Sequence, residues 1–338
     1  MNKNFKFLFF NLLILSTLIS ISSTSWMGMW MGLEMNLLAI IPLMYSKTSI
    51  SSSEASVKYF IVQTIASSII IINITMLMIN FNMSSNINIF NMNLIMMNSA
   101  FLIKIGMAPF HFWFPEIIYG LSWMNSMIIL TWQKIAPMIL FMFNLMNNSF
   151  AIFVIITSLL ISTINSLNMI NLKKILAFSS INHMSWMMTM MIFSKTIWML
   201  YFYIYSFSSI IMILFLNKFK ILYVNQISFL NNNKEMIMFF ILGFVSFMGL
   251  PPTIGFVSKW LTIQVLIWEK WLFLTFILIM LTILMIYIYF QLMIYSILFN
   301  SKKNNFFLKN NKIMFSYLSI MNLFNILGMI LITLIFNF

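Results

Sequence analysis

Residues 236–268 read MIMFFILGFVSFMGLPPTIGFVSKWLTIQVLIW, and this stretch decides the fold. As one straight helix its 33 residues would measure about 50 Å at roughly 1.5 Å per residue. The hydrocarbon core of a bilayer is only about 30 Å thick. Gly249-Leu250-Pro251-Pro252 stands near the middle of the run. Proline lacks the N–H that a helix interior needs, and its ring collides with the preceding turn, so the helix must break there. The stretch reads as one membrane crossing built from two half-helices.

Working outward, apolar segments recur at 5–21, 26–45, 59–79, 91–114, 121–144, 150–169, 174–193, 196–216, 236–268, 271–299 and 313–336, eleven in all. Loops rich in Asn, Ser and Lys separate them, and no alternating polarity suggests a barrel. The chain is 62% hydrophobic and 7% charged, against about 25% charged in an ordinary soluble domain. The fold class is therefore all-α, a polytopic membrane protein of about eleven transmembrane helices. Lys3 and Lys6 ahead of the first apolar run resemble a secretory leader. Residues 22–27 offer no small-x-small cleavage site, so the run is read as the first spanning helix.

A net charge of +13 in a soluble protein would suggest nucleic acid. Here it reports topology instead, and no nucleic-acid partner is expected. Every basic residue is Lys, 18 in number, and every acidic one is Glu. When sides alternate at each crossing, thirteen lysines fall on the N-terminal side and only Lys195 and Lys270 opposite. The positive-inside rule makes the lysine-rich side the matrix, with the N-terminus there and the C-terminus in the intermembrane space. The 35 Met and 37 Phe are consistent with an A/T-rich mitochondrial gene.

Gly106-Met107-Ala108-Pro109 interrupts the fourth segment as Gly249-Leu250-Pro251-Pro252 interrupts the ninth. If segments one to five and six to ten are units, the broken helix is the fourth member of each. An odd-numbered unit followed by a copy inverts the copy, which is the transporter pattern, with interrupted helices pointing to the transport site. The expected organisation is two inverted five-helix repeats, 1–145 and 146–300, then a loop and a last helix over 301–338.

Three lysines, Lys104, Lys134 and Lys259, and one acid, Glu34, lie inside apolar segments. Each charge at mid-bilayer costs about 2.5–3.5 kcal/mol on insertion scales, which marks a functional group by default. The alternative is that the lysines snorkel to an interface. Glu34 and Lys104 are candidates for an ion pair whose separation would make Lys104 release its proton. His183 is placed to relay protons between Lys134 and Lys259, or else serves as a hydrogen-bonded structural residue. His111 and Glu116 follow the first break, where they either collect protons at the matrix side or cap a helix end. With two His and no Cys, the chain lacks the ligands of an iron–sulfur cluster or an ordinary metal site. The Met, Phe and Trp stripes read as packing and lipid-facing surface.

Four stretches carry a resemblance: 30–36 (WMGLEMN), 104–113 (KIGMAPFHFW), 174–180 (KILAFSS) running into His183-Met184, and Gly249-Leu250-Pro251-Pro252 running to Lys259-Trp260. Together they resemble the family of the second mitochondrially encoded subunit of NADH:ubiquinone oxidoreductase, respiratory complex I. Where that family carries glycine after His-Met, Ser185 stands here. The resemblance implies a proton-translocating core subunit of the membrane arm in the mitochondrial inner membrane, related to cation/proton antiporters. It implies that Glu34 and Lys104 form a proton-uptake pair, that Lys134 is the central lysine, that Lys259 is the lysine of the second half and that His183 stands between them. NADH, FMN, iron–sulfur clusters and ubiquinone then belong to other parts of the complex, with no cofactor on this chain. The implied partners are other membrane-arm subunits, antiporter-like ones included, and membrane lipids. Two other readings share the buried lysines: a subunit of a free-standing cation/proton antiporter, and a structural membrane subunit whose charges only tie helices together.

Overall fold

In the computed structural model, residues 3–46, 49–82, 87–144, 148–232, 234–251, 253–298 and 322–329 are described. The helices are α1 (Lys3–Ser22), α2 (Trp26–Met44), α3 (Ile50–Asn82), α4 (Ile87–Ile105), α5 (Trp113–Gly120), α6 (Trp123–Leu130), α7 (Ile135–Phe143), α8 (Asn148–Leu167), α9 (Leu172–Phe193), α10 (Lys195–Phe219), α11 (Lys234–Met248), α12 (Ile254–Trp268) and α13 (Leu272–Leu298). Among the described residues no strand forms beyond an isolated bridge between Asn171 and Tyr223, so the all-α class holds. Six of these helices, and the run Trp123–Phe143 taken through α6 and α7, are long and apolar enough to cross a membrane, and shorter apolar helices accompany them. The eleventh expected segment, 313–336, lies outside the described residues except for 322–329, which are helical. The same is true of the expected C-terminal portion 301–338.

The chain divides into two compact units, Met1–Val154 and Ile155–Phe338. In the first, α1 packs on α2 and α2 on α3, while α3 also packs on α4 and α5. In the second, α10 packs on α9, α11 and α12, with α13 against α11 and α12.

Hydrocarbon offers no hydrogen bonds, so polar side chains inside such helices need partners within the protein. Ser and Thr find them on their own helix. Ser16, Ser56, Ser158, Ser179 and Thr189, for example, each donate to the carbonyl three residues back at 2.7–2.9 Å, the local pattern open to short hydroxyl side chains. Amides reach across instead. Asn144 Nδ2 donates to Asn98 Oδ1 at 2.8 Å, joining the end of α7 to α4, and Asn125 Nδ2 donates to the Leu43 carbonyl at the end of α2 at 3.0 Å.

Both interrupted helices end in the same motif. At the first, Met107 N–H bonds Leu102 O at 3.1 Å and Gly106 N–H bonds Ile103 O at 3.2 Å, with Gly106 at φ +80°. At the second, Leu250 N–H bonds Val245 O and Gly249 N–H bonds Ser246 O, both at 3.3 Å, with Gly249 at φ +69°. This is a Schellman close with glycine in the left-handed position that other residues occupy only under strain.

Segment 121–144 reads as one straight crossing, and the structure corrects this. α6 stops at Leu130, Trp132–Lys134 form a single 3₁₀ turn, and α7 starts at Ile135. Pro137 supplies the cause, because it has no N–H to offer Gln133 and its ring crowds that carbonyl four residues back. The residues after the first break also differ from expectation, since 113–120 form the short helix α5 rather than the end of one segment and a loop.

Gly249→Ala is expected to destabilise the second unit by about 1–2 kcal/mol, the cost of a left-handed L-residue. A Cβ there would also stand 2.9 Å from Lys259 Cδ. The thermal midpoint of the protein in its native membrane assembly reads this out. An unchanged midpoint would contradict the account of the break.

Candidate functional site

The first unit gathers its chemistry where α2, α3, α4 and the 3₁₀ turn converge. Lys104 lies in the last turn of α4, just before the break, and is 6% exposed. Its carbonyl accepts from Gln63 Nε2 of α3 at 3.3 Å. Gln133 Nε2 donates to Asn36 Oδ1 of α2 at 2.9 Å, and Tyr59 Oη donates to Gln133 Oε1 at 3.4 Å. These polar groups and Lys104 line a cavity of about 10 Å³, which is room for roughly one water molecule.

Glu34 is half-buried on α2, and its Oε1 has no hydrogen-bond donor among the described residues. Its charge acts on Lys104 through space, without a direct salt bridge among the described residues. A direct ion pair lies elsewhere. Lys58 Nζ of α3 meets Glu116 Oε2 of α5 at 2.6 Å, with both side chains more than half exposed. His111, in the turn before α5, is buried, stacks on Phe112 and interacts with the Pro109 backbone. Of the two residues expected to collect protons, one is therefore at the surface in an ion pair and the other is enclosed.

Lys134 is 2% exposed at the end of the 3₁₀ turn, with Nζ 5.0 Å from the centre of the Phe114 ring. A cation over an aromatic face is held by about 0.5–2 kcal/mol. Phe114 also closes the first break, since a Cβ on Gly106 would lie 3.1 Å from its side chain.

In the second unit Lys259 follows its break instead of preceding it, on the second turn of α12. Its Nζ donates to the Met248 carbonyl at 2.6 Å and stands 5.9 Å from the Trp186 ring. That carbonyl ends α11 and has lost its helical donor, so the ammonium replaces a missing backbone bond. His183 of α9 is 7% exposed, and its Nδ1 lies 3.0 Å from the hydroxyl of Tyr201 on α10. Tyr205 and Phe247 enclose the imidazole with ring centres 5.2 Å and 5.4 Å away.

Asn36, Tyr59, Gln63, Gln133 and Tyr201 escape a sequence reading that looks for charge. Their signal is weaker but real, because an amide or phenol inside an apolar segment must find an interhelical partner.

The description NADH:quinone oxidoreductase/Mrp antiporter, transmembrane, matches residues 23–286. The chain is 44% identical over 336 residues to NADH-ubiquinone oxidoreductase chain 2 of Anopheles gambiae, covering 97% of each. It is 36% identical over 333 residues to the protein of that name from Locusta migratoria, covering 97% of this chain and 96% of that one. Its fold is similar to a chain of respiratory complex I from Thermus thermophilus with bound aureothin. There the TM-score is 0.88 at 16% identity, over 99% of this chain and 80% of that one.

Removing the Gln133 amide tests the network. Asn36→Ala and Gln133→Leu are expected to couple by about 0.6–1.7 kcal/mol in a double-mutant cycle of thermal stability, the range of interhelical hydrogen bonds in membrane proteins. Strict additivity of the two changes would show that the bond carries no energy.

Proposed function

Because the chain belongs to the NADH:quinone oxidoreductase/Mrp antiporter family, we propose that it is a membrane-arm subunit of NADH:ubiquinone oxidoreductase, respiratory complex I, and translocates protons across the mitochondrial inner membrane. The observation that carries this reading is Lys134. It is an ammonium-bearing side chain 2% exposed at a break in an apolar helix, where a charge costs about 2.5–3.5 kcal/mol on insertion scales. Such a residue is retained for what it does with a proton.

Glu34 and Lys104 form the coupled uptake pair of the first half and Lys134 its central proton carrier. His183 and Lys259 carry protons in the second half. His111 and Glu116 serve the matrix side, where Lys58 holds Glu116. Residues 1–145 and 146–300 are the two inverted repeats. The lysine asymmetry orients the N-terminus to the matrix and the C-terminus to the intermembrane space.

Absence of Cys and the presence of only two His in the sequence support assigning NADH, FMN, iron–sulfur clusters and ubiquinone to other subunits. This chain contributes to the reductase as its proton path, beside other membrane-arm subunits, antiporter-like ones included, and lipid. The structural reading has one observation in its favour, the Lys259 bond that completes the end of α11. Lys134, over the Phe114 ring, is the position at which the two readings are tested.

Lys134→Met is expected to cut proton flux through this subunit by about 100-fold or more, the usual worth of a positioned proton-transfer group. The proton-to-electron ratio of the complex then falls while an artificial acceptor still oxidises NADH. A normal ratio would refute the assignment. Glu34→Gln and Lys104→Met should each impair the same step, and the double variant should do little more damage than the worse single one. Summed defects would make them independent charges.

A further inference from the structure

Gln133 belongs to none of the positions that the family resemblance supplies, yet its amide is held at both ends. Nε2 donates to Asn36 Oδ1 on α2 at 2.9 Å, and Oε1 accepts from Tyr59 Oη on α3 at 3.4 Å. All three side chains are buried. The Tyr59 ring is itself packed edge-on against Trp113, with ring centres 5.9 Å apart. Gln133 is the middle residue of the 3₁₀ turn Trp132–Lys134, so the next residue along is the central lysine.

The backbone holds this turn weakly. Lys134 N–H reaches Thr131 O only at 3.4 Å, and Pro137 has no N–H to offer the Gln133 carbonyl. A 3₁₀ helix has about three residues per turn, so neighbouring side chains leave its axis roughly 120° apart. Whatever fixes the direction of Gln133 therefore fixes that of Lys134. Here Gln133 faces the cavity that it lines together with Lys104, and Lys134 stands over the Phe114 ring. The same face of α3 serves both lysines. Gln63 lies one helical turn beyond Tyr59, and its Nε2 donates to the Lys104 carbonyl at 3.3 Å. Lys104 is thus placed through its own main chain, and Lys134 through its neighbour's amide.

Resting on the proton-translocating reading above, we propose that Gln133 is a positioning residue, which holds the turn of Lys134 in the orientation at which protons pass between Lys104 and Lys134. Its amide neither gains nor loses a proton. It sets where the Lys134 amine stands relative to the cavity beside Lys104. Proton transfer needs its partners within hydrogen-bond reach or joined through one water, and a misplacement of about 1 Å costs on the order of 100-fold in rate. Losing the amide frees the turn to rotate, and Lys134 turns with it.

The test uses the intact complex in sealed vesicles, with assembly, NADH oxidation and proton-to-electron ratio measured for each variant. Gln133→Leu is expected to slow transfer at Lys134 by about 100-fold and so to lower the ratio as far as Lys134→Met does. Added to Lys134→Met, it lowers the ratio no further, because it acts through that lysine. Gln133→Asn alone, too short to reach Asn36, lowers the ratio, and the swap of Gln133→Asn with Asn36→Gln, which keeps the combined reach of the two amides, recovers it. Asn125→Leu, which removes an interhelical amide bond of the same unit, leaves the ratio normal. A normal ratio in Gln133→Leu beside a lowered one in Lys134→Met overturns the positioning role alone. A further loss in the Lys134→Met background, or an equal defect in Asn125→Leu, overturns it as well, since the effect is then general destabilisation. If Gln133→Leu does not assemble, the swap decides, and a ratio no higher than that of Gln133→Asn overturns the role. A normal ratio in Lys134→Met overturns the translocating reading of this half, and the positioning role with it.

Discussion

A backbone carbonyl that loses its helical partner inside hydrocarbon has nowhere else to turn, and the site architecture answers that constraint. At the second break, Met248 O would be stranded, and the ammonium of Lys259 takes it. The cost of burying a charge and the cost of stranding a carbonyl are offset against each other by one contact. That arrangement depends on Gly249, whose positive φ leaves space beside the Lys259 stem. The residues that look like helix breakers in the sequence are, in the structure, what makes a buried lysine tolerable.

Both glycine breaks are legible in the sequence because glycine and proline act locally. So are the buried charges, since Lys and Glu stand out in apolar runs. What is hidden depends on geometry between helices. Lys104 and Lys259 both flank a glycine, but one is in the last turn before its break and the other in the second turn after it. Linear spacing gives no hint that they therefore meet different surroundings. The break at Trp132–Lys134 had a signal in Pro137, muted because proline near a helix start is ordinarily harmless. The amides of Asn36 and Gln133 are 97 positions apart. Only folding makes them one bond.

The two halves solve the burial of a central lysine in different ways. Lys134 is enclosed by an aromatic face, whereas Lys259 is tied to a carbonyl. A cation–π contact is spread over a ring face, whereas a bond to a carbonyl is directed along one N–H. Similar sequence features, a lysine near a disrupted helix, thus end in two different kinds of contact. The enclosed imidazole of His183 meets a phenol, with Nδ1 3.0 Å from the Tyr201 hydroxyl.

The hydroxyls that bond their own helix have a further consequence for how this sequence can drift. A serine such as Ser16 or Ser158 spends its donor three residues back, so alanine replaces it without orphaning any group on a neighbouring helix. An amide that spans helices, such as Asn98 with Asn144 or Asn36 with Gln133, cannot be exchanged singly without stranding its mate. Under a biased mutational supply, substitutions can accumulate at the first kind of position while the second kind changes only in pairs. The polar residues of this chain thus divide by the partner each one keeps into freely exchangeable letters and fixed ones.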